Sequence, residues 1–170
     1  MNRNDIQLKE KIVKIKLVIM DVDGVLTDGG LYYTKEGLIM KKFNVKDGMG
    51  VYRLREAGIN CGIITTDDSE LVYKRGERLK LSFTYIGVLN KEQRLNEICQ
   101  KRNLDFEEVA FIGDDLNDEG IIKSAGLSAC PSDAVSEIQD MVDIVLNKKG
   151  GEGAFREFAE IILDLIKNKR

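Results

Sequence analysis

Three apolar runs in this chain each stop on a chemically loaded residue, and that pattern limits the possible folds more than any other feature. Residues 15–20 are β-branched and apolar and lead straight into Asp21-Val22-Asp23-Gly24-Val25-Leu26-Thr27-Asp28. Residues 60–65 run through Gly62-Ile63-Ile64 and close on Thr65. Residues 109–112 close on Gly113-Asp114-Asp115-Leu116-Asn117-Asp118. Apolar runs without alternation read as strands buried on both faces. Helical patterns lie between them: 48–57 with Asp47 as cap and Gly58 as stop, 69–79, 91–101, 116–124 and 154–166. Residues 82–86, 127–130 and 143–146 read as shorter strands. This alternation predicts an α/β fold with a doubly wound, mainly parallel sheet, which binds ligands at the carboxyl ends of its strands.

One segment breaks the alternation. Leu31-Tyr32-Tyr33 and Leu38-Ile39-Met40 flank Thr34-Lys35-Glu36-Gly37, which reads as a β-hairpin inserted at about 30–43. The rest shows no linker and no internal repeat. A length of 170 residues fits one domain, 1–170, at roughly 150 residues per domain.

Composition removes several chemistries. The chain has no histidine, which excludes His-based triads, His phosphorelay and His-ligated zinc. Acid–base work falls to Asp, Glu, Lys, Tyr or Cys. A formal net charge of −3 gives no bulk attraction to nucleic acid or to anionic membrane. The longest apolar run is far short of a membrane span, and the start, Met-Asn-Arg-Asn-Asp, carries no signal peptide pattern. Cys61, Cys99 and Cys130 are widely spaced and form no C-x-x-C, so a reducing cytoplasm and a core role are expected.

The strand-end residues belong to one chemistry. In a parallel sheet, Asp21 and Asp23 converge with Asp114 and Asp115 on one edge. Such a cluster repels itself unless a cation intervenes, and hard oxygen ligands favour Mg²⁺ over zinc. The Thr65 hydroxyl and the Lys91 ammonium suit the oxygens of a transferring phosphoryl group. Taken singly, each element has an ordinary reading. D-x-D-G is a turn, Lys91 a solvated helix residue, Thr65 a common strand end, and Asp28 and Asp118 loop braces. Their joint order makes coincidence improbable.

D-x-D-G-x-x-T-D, the strand-end Thr, the downstream Lys and G-D-D-x-x-D together resemble the haloacid dehalogenase superfamily of phosphohydrolases, across nearly the whole chain. The size implies a member without a cap domain. Phe43-Asn44-Val45-Lys46-Asp47-Gly48 and Gly150-Gly151-Glu152-Gly153-Ala154-Phe155-Arg156-Glu157 look like the 3-deoxy-D-manno-octulosonate 8-phosphate phosphatase family. Phosphatases of nine-carbon keto sugar acid phosphates are close relatives.

The resemblance implies a Mg²⁺-dependent phosphomonoesterase for a small keto sugar acid phosphate. Asp21 would be the nucleophile, forming an aspartyl-phosphate. Asp23 would be the general acid–base, meeting the metal only through its backbone carbonyl. Asp21, Asp23 and Asp114 would hold Mg²⁺, with Asp115 and Asp118 behind them. Thr65 and Lys91 would hold the phosphoryl oxygens. Asn44, Val45, Lys46, Asp47 and Gly48 would border the substrate, with Asp67, Arg75 and Arg78 further along; a surface charge is an equal reading of Arg75. The resemblance also implies a homotetramer in which hairpins pack together.

Two departures stand out. Thr65-Thr66-Asp67 replaces the T-G-R typical of octulosonate phosphatases, and Tyr52 stands where that family carries an arginine. The nine-carbon phosphatases carry an acid at the place of Asp67 and a base at that of Arg78. Asp67 also reads simply as the start of the helix at 69. Two other function classes compete. One is a non-catalytic oligomerisation module like the C-terminal domain of acylneuraminate cytidylyltransferases, but this chain keeps Asp21, Asp23, Lys91 and Asp114. The other is a phosphoacceptor receiver domain, which does not carry D-x-D-G-x-x-T-D followed by a hairpin. Neither G-x-x-x-x-G-K-[ST] nor G-x-G-x-x-G occurs.

Overall fold

The computed structural model describes residues 3–167. Residues 1 and 2, part of the start inspected for a signal peptide, and residues 168–170 of the expected 1–170 domain lie outside the described residues. A six-stranded parallel sheet has the order β5-β4-β1-β6-β7-β8, from β1 (Leu17–Met20), β4 (Asn60–Ile64), β5 (Phe83–Tyr85), β6 (Val109–Ile112), β7 (Leu127–Cys130) and β8 (Ile144–Val145). The chain builds outward from β1 on one side, then crosses back to β6 and builds outward on the other. That reversal puts a switch point at the carboxyl end of β1. Met20 is level with Ile63 of β4 and Ile112 of β6, so Asp21, Thr65 and Asp114 emerge side by side.

Both faces of the sheet are covered, which explains the unbroken apolar runs. Val18, Met20, Cys61, Ile63, Ala110 and Ile112 face one core with Ile12, Val51, Leu54, Phe155, Phe158 and Ile162. Leu17, Ile19, Ile64, Val109 and Phe111 face the other with Leu95, Ile98, Ile121, Ile122 and Ile138. The first layer is formed by α1 (Arg3–Ile12), α2 (Val45–Glu56) and α7 (Ala154–Lys167), with α3 (Glu70–Leu79) contributing Val72. The second is formed by α4 (Lys91–Arg102), α5 (Glu119–Ser124) and α6 (Ser136–Gln139).

The hairpin is a separate antiparallel pair, β2 (Thr27–Thr34) and β3 (Gly37–Phe43), tighter than expected because Lys35-Glu36 alone make the turn. Asp47 does not cap α2. Asn44 does, accepting from Lys46 N at 3.0 Å, so the helix starts at Val45. The Asp47 carboxylate instead accepts Arg156 N at 2.9 Å, capping the first turn of α7. The helix expected at 116–124 is a 3₁₀ turn, Leu116–Asp118, leading into α5. The helix α1 has no counterpart in the sequence reading, which began its elements at residue 15.

Candidate active site

Asp21 follows the last residue of β1, and its N–H donates to Ile112 O at 3.0 Å, so backbone pairing fixes its position. It is 5% exposed. Its Oδ1 lies 3.0 Å from the Lys91 ammonium but has no aligned hydrogen-bond donor. Burial pushes the Asp21 carboxyl up, against the opposing charge of Lys91.

Lys91 opens α4 behind the Asn90 cap, and its side chain is essentially fully buried. It donates to Asp118 Oδ1 at 2.6 Å. Burial works to lower its pKa, but the charges of Asp21 and Asp118 outweigh it and hold the ammonium charged. Asp118 turns its other oxygen to Asp114 N at 3.1 Å. Both of its oxygens are therefore engaged. Burial and the Asp21 charge push its carboxyl up to about 6.

Asp114, like Asp21, leaves one oxygen without a donor. Its Oδ1 is buried with no partner. Burial first, then the negative charges of Asp21, Asp118 and Asp115, push it up to about 8. Oxygens of Asp21, Asp114 and Asp118 lie within 4.8 Å of one another. With all three ionised beside one ammonium, two charges stand unbalanced, which a divalent cation would neutralise. The partnerless oxygens of Asp21 and Asp114 are the free ligand positions, so this donor set fits a hard cation.

Gly24 is required by this packing. Its φ is +78°, and a Cβ there would stand 1.9 Å from Asp114 Oδ2. A Cβ at Gly150 would stand 2.0 Å from Gly24 O, so the glycine-rich loop lies directly on the turn that follows β1. Gly151 N donates to Val25 O at 3.0 Å and holds it there.

A cavity of about 460 Å³ opens above these groups. Asp21, Asp23, Thr65, Asp114 and Asp115 line it, as does the unforeseen Asp133. Thr65 is buried, its hydroxyl accepting Asp67 N at 3.2 Å. Asp115 caps its own 3₁₀ turn through Leu116 N at 2.7 Å. Asp133 Oδ1 accepts Gly150 N at 2.9 Å, tying the turn after β7 to the glycine-rich loop. A polar turn after a short buried strand was its only signal in the sequence.

Lys41 carries no such signal. It lies in β3, its side chain is 1% exposed, and its ammonium is ion-paired to both Asp23 and Asp67. Burial works against that charge, but the two carboxylates outweigh it and raise its pKa.

Of the residues expected to meet the substrate, Asp23 lines the cavity, whereas the segment from Asn44 to Gly48 and Asp67, Arg75, Arg78 and Lys91 lie outside its wall. Asn44 donates to Gly151 O at 2.9 Å, Val45 is exposed, and Lys46 follows it at the start of α2. Gly48 packs against α3, where a Cβ would stand 3.0 Å from Leu79 Cδ2. Asp47 is buried, and burial pushes its carboxyl up to about 6 against the Arg156 N–H and the Arg75 charge. Arg75 turns inward, donating to Asn44 O at 3.0 Å and lying 5.3 Å over the Phe43 ring. Arg78 is exposed on α3. Asp67 is not a free acid, being paired with Lys41.

Comparison with known proteins agrees with this geometry. Residues 56–157 match the family model of the haloacid dehalogenase-like hydrolases. A 3-deoxy-D-manno-octulosonate 8-phosphate phosphatase of Haemophilus influenzae is 37% identical over 156 residues, which is 92% of this chain and 87% of that protein. The solved cobalt-bound form of the Haemophilus influenzae phosphatase superposes with a TM-score of 0.90, covering 92% of each chain. The Moraxella catarrhalis phosphatase, solved with magnesium, phosphate and the sugar acid KDO, is 35% identical, with a TM-score of 0.92 over 98% of this chain and 95% of that one.

Proposed function

The chain belongs to the haloacid dehalogenase-like hydrolases and is a phosphatase, and from that premise we propose that it hydrolyses a keto sugar acid phosphate, with Mg²⁺ bound and an aspartyl-phosphate on Asp21. The observation that carries this reading is the convergence of Asp21, Asp23, Thr65 and Asp114 in one cavity at the sheet's switch point. The 37% identity to octulosonate 8-phosphate phosphatases supports the eight-carbon substrate over the nine-carbon one. Asp67 does not argue against it, because its charge is spent on Lys41.

Asp21 attacks phosphorus through a carboxylate oxygen, and the bond to the sugar oxygen breaks. Asp23, in the same cavity wall, gives its proton to that departing oxygen. It then takes a proton from the water that attacks the phosphoryl group, which frees phosphate and regenerates Asp21. Lys91 and Thr65 hold equatorial oxygens where negative charge gathers. Asp21 and Asp114, with the Asp23 backbone carbonyl, hold Mg²⁺, which neutralises charge on the phosphoryl oxygens and on the acid cluster. Asp115 and Asp118 steady that set. Asn44, Val45, Lys46 and Gly48 border the entering sugar acid, with Arg78 at the outer edge. Asp47 and Arg75 support that segment from below, given their inward contacts.

A panel of sugar phosphates with Mg²⁺ tests the substrate class. A keto sugar acid phosphate should exceed hexose phosphates in kcat/KM by about 100-fold or more, and equal values would overturn the assignment. Excess EDTA should lower activity by at least about 100-fold, and Mg²⁺ should restore it. Full activity in the chelator, or restoration by zinc alone, would contradict the oxygen-rich site.

Phe43 at the base of the hairpin packs against the core, but Leu31, Tyr32, Tyr33, Ile39 and Met40 are all exposed. A ribbon of this kind needs a partner. Packing of hairpins in a homotetramer supplies one, and it places the 150–156 loop near shared sites. Lysines at both Tyr32 and Ile39 should dissociate the assembly and raise KM. Light scattering on the wild type decides the matter, since a fully active monomer would refute it. No described helix is long and apolar enough to cross a membrane. The buried free thiols Cys61, Cys99 and Cys130 support a cytoplasmic setting. Neither nucleic acid nor membrane has a place in this reading.

A further inference from the structure

We propose that Lys41 is a positioning residue for the reaction, clamping the Asp23 carboxyl group in the orientation from which it passes a proton to the leaving oxygen and takes one back from the attacking water. The inference rests on the acid–base reading of Asp23 given above.

The hairpin is exposed along most of its length, yet Lys41 points inward with a side chain only 1% exposed. Burying an ammonium is costly unless it is paired and hydrogen-bonded. Lys41 meets that requirement twice, bonding to Asp23 Oδ2 and pairing with Asp67 Oδ2.

The two carboxylates differ in how they are held. Asp67 is anchored: its Oδ1 accepts Ser69 N at 2.8 Å, its N–H donates to Thr65 Oγ1 at 3.2 Å, and its carbonyl accepts Gly87 N at 2.9 Å. It is a fixed post on the loop after β4, and it immobilises the long, flexible lysine side chain. Asp23 sits at the cavity, its side chain 35% exposed. Apart from Lys41, its carboxylate is held by Thr27, whose hydroxyl donates to Oδ1 at 3.0 Å. With Thr27 on one oxygen and Lys41 on the other, the carboxylate plane cannot turn. Without Lys41, Asp23 would keep one bond and face the like charge of Asp67.

This arrangement also gives the hairpin and Asp67 a task. The strand that carries Lys41 reaches the proton-transfer group from outside the sheet, and Asp67 braces it. A misplaced acid costs most where the leaving oxygen needs a proton, as in an alkyl or sugar phosphate. An activated aryl ester leaves without one.

The test compares Lys41→Met with wild type on a sugar phosphate and on p-nitrophenyl phosphate, both with saturating Mg²⁺. Release of the leaving group in the first turnover should slow by about 100-fold for the sugar phosphate and by less than about fivefold for the aryl ester, while the later hydrolysis of the enzyme-bound phosphoryl group slows alike for both. Lys41→Arg should recover part of the loss. The double variant Lys41→Met with Asp67→Asn removes the exposed like-charge pair, so it guards against a simple failure to fold. It should show the same selectivity. Asp23→Asn serves as the reference. If Asp23→Asn is selective but Lys41→Met and the double variant slow first-turnover release of both leaving groups equally, or of neither, the positioning role is overturned. If Asp23→Asn slows first-turnover release of both leaving groups equally, the general-acid reading fails and the positioning role falls with it.

Discussion

Asp21→Asn should lose turnover by about 10⁴-fold or more while keeping its fold. An amide has nearly the shape of a carboxylate but cannot attack phosphorus. The backbone bond from residue 21 to Ile112 O is untouched by the change. Lys91 keeps Asp118 as its counter-charge at 2.6 Å, so no ammonium is left alone in the core. Repulsion between residue 21 and Asp114 is relieved, because Asp21 is the largest charge pushing that carboxyl up. Thermal melting in EDTA should therefore sit at or above the wild-type midpoint. Activity near wild type in this variant would refute nucleophilic catalysis at Asp21.

The second large effect is on stability. Lys91→Met should lose activity and also about 3–5 kcal/mol of stability in the absence of metal. The ammonium is essentially fully buried between Asp21 and Asp118, and methionine fills its volume but supplies no charge. Two buried carboxylates then lack their counter-ion. Mg²⁺ should restore part of the loss, since a cation held by Asp21 and Asp114 neutralises the same cluster. Urea unfolding with EDTA and then with Mg²⁺ measures both quantities. A metal-free variant within about 1 kcal/mol of wild type would contradict the charge balance drawn here.

The strand-end residues were legible because two independent signals coincide on them. An apolar run announces a buried parallel strand, and an acid or hydroxyl immediately after it lies at the one edge where ligands bind. Asp21, Thr65 and Asp114 each satisfy both conditions, and register brings them within one residue of the same level. Lys91 was legible only by its order among them. Contacts between distant side chains leave no such trace. Lys41 and Asp67 are 26 positions apart, and nothing in Met40-Lys41-Lys42 separates the buried lysine from its exposed neighbour. Asp67 consequently read as an acid facing substrate. Asp47 read as a local cap because Asp is a common N-cap residue; Asn44 holds that position, and Asp47 is free to cap α7 across the core. Arg75 has an equally tertiary fate, since its partners Phe43 and Asn44 come from the far side of α2 in sequence. The mostly polar helix α1 has too few core contacts to mark itself in the sequence; among its described side chains Ile12 alone is fully buried.

The central claim is a phosphoryl group carried by Asp21. Acid-quenching the enzyme during turnover with Mg²⁺ and a keto sugar acid phosphate, followed by peptide mass spectrometry, tests it most directly. One phosphoryl group should appear on the peptide that contains Asp21, vanish on brief exposure to base, and be absent from Asp21→Asn. A wild-type enzyme that turns over at full rate and never carries phosphate on that peptide, under a quench that preserves acyl phosphates, would contradict the account.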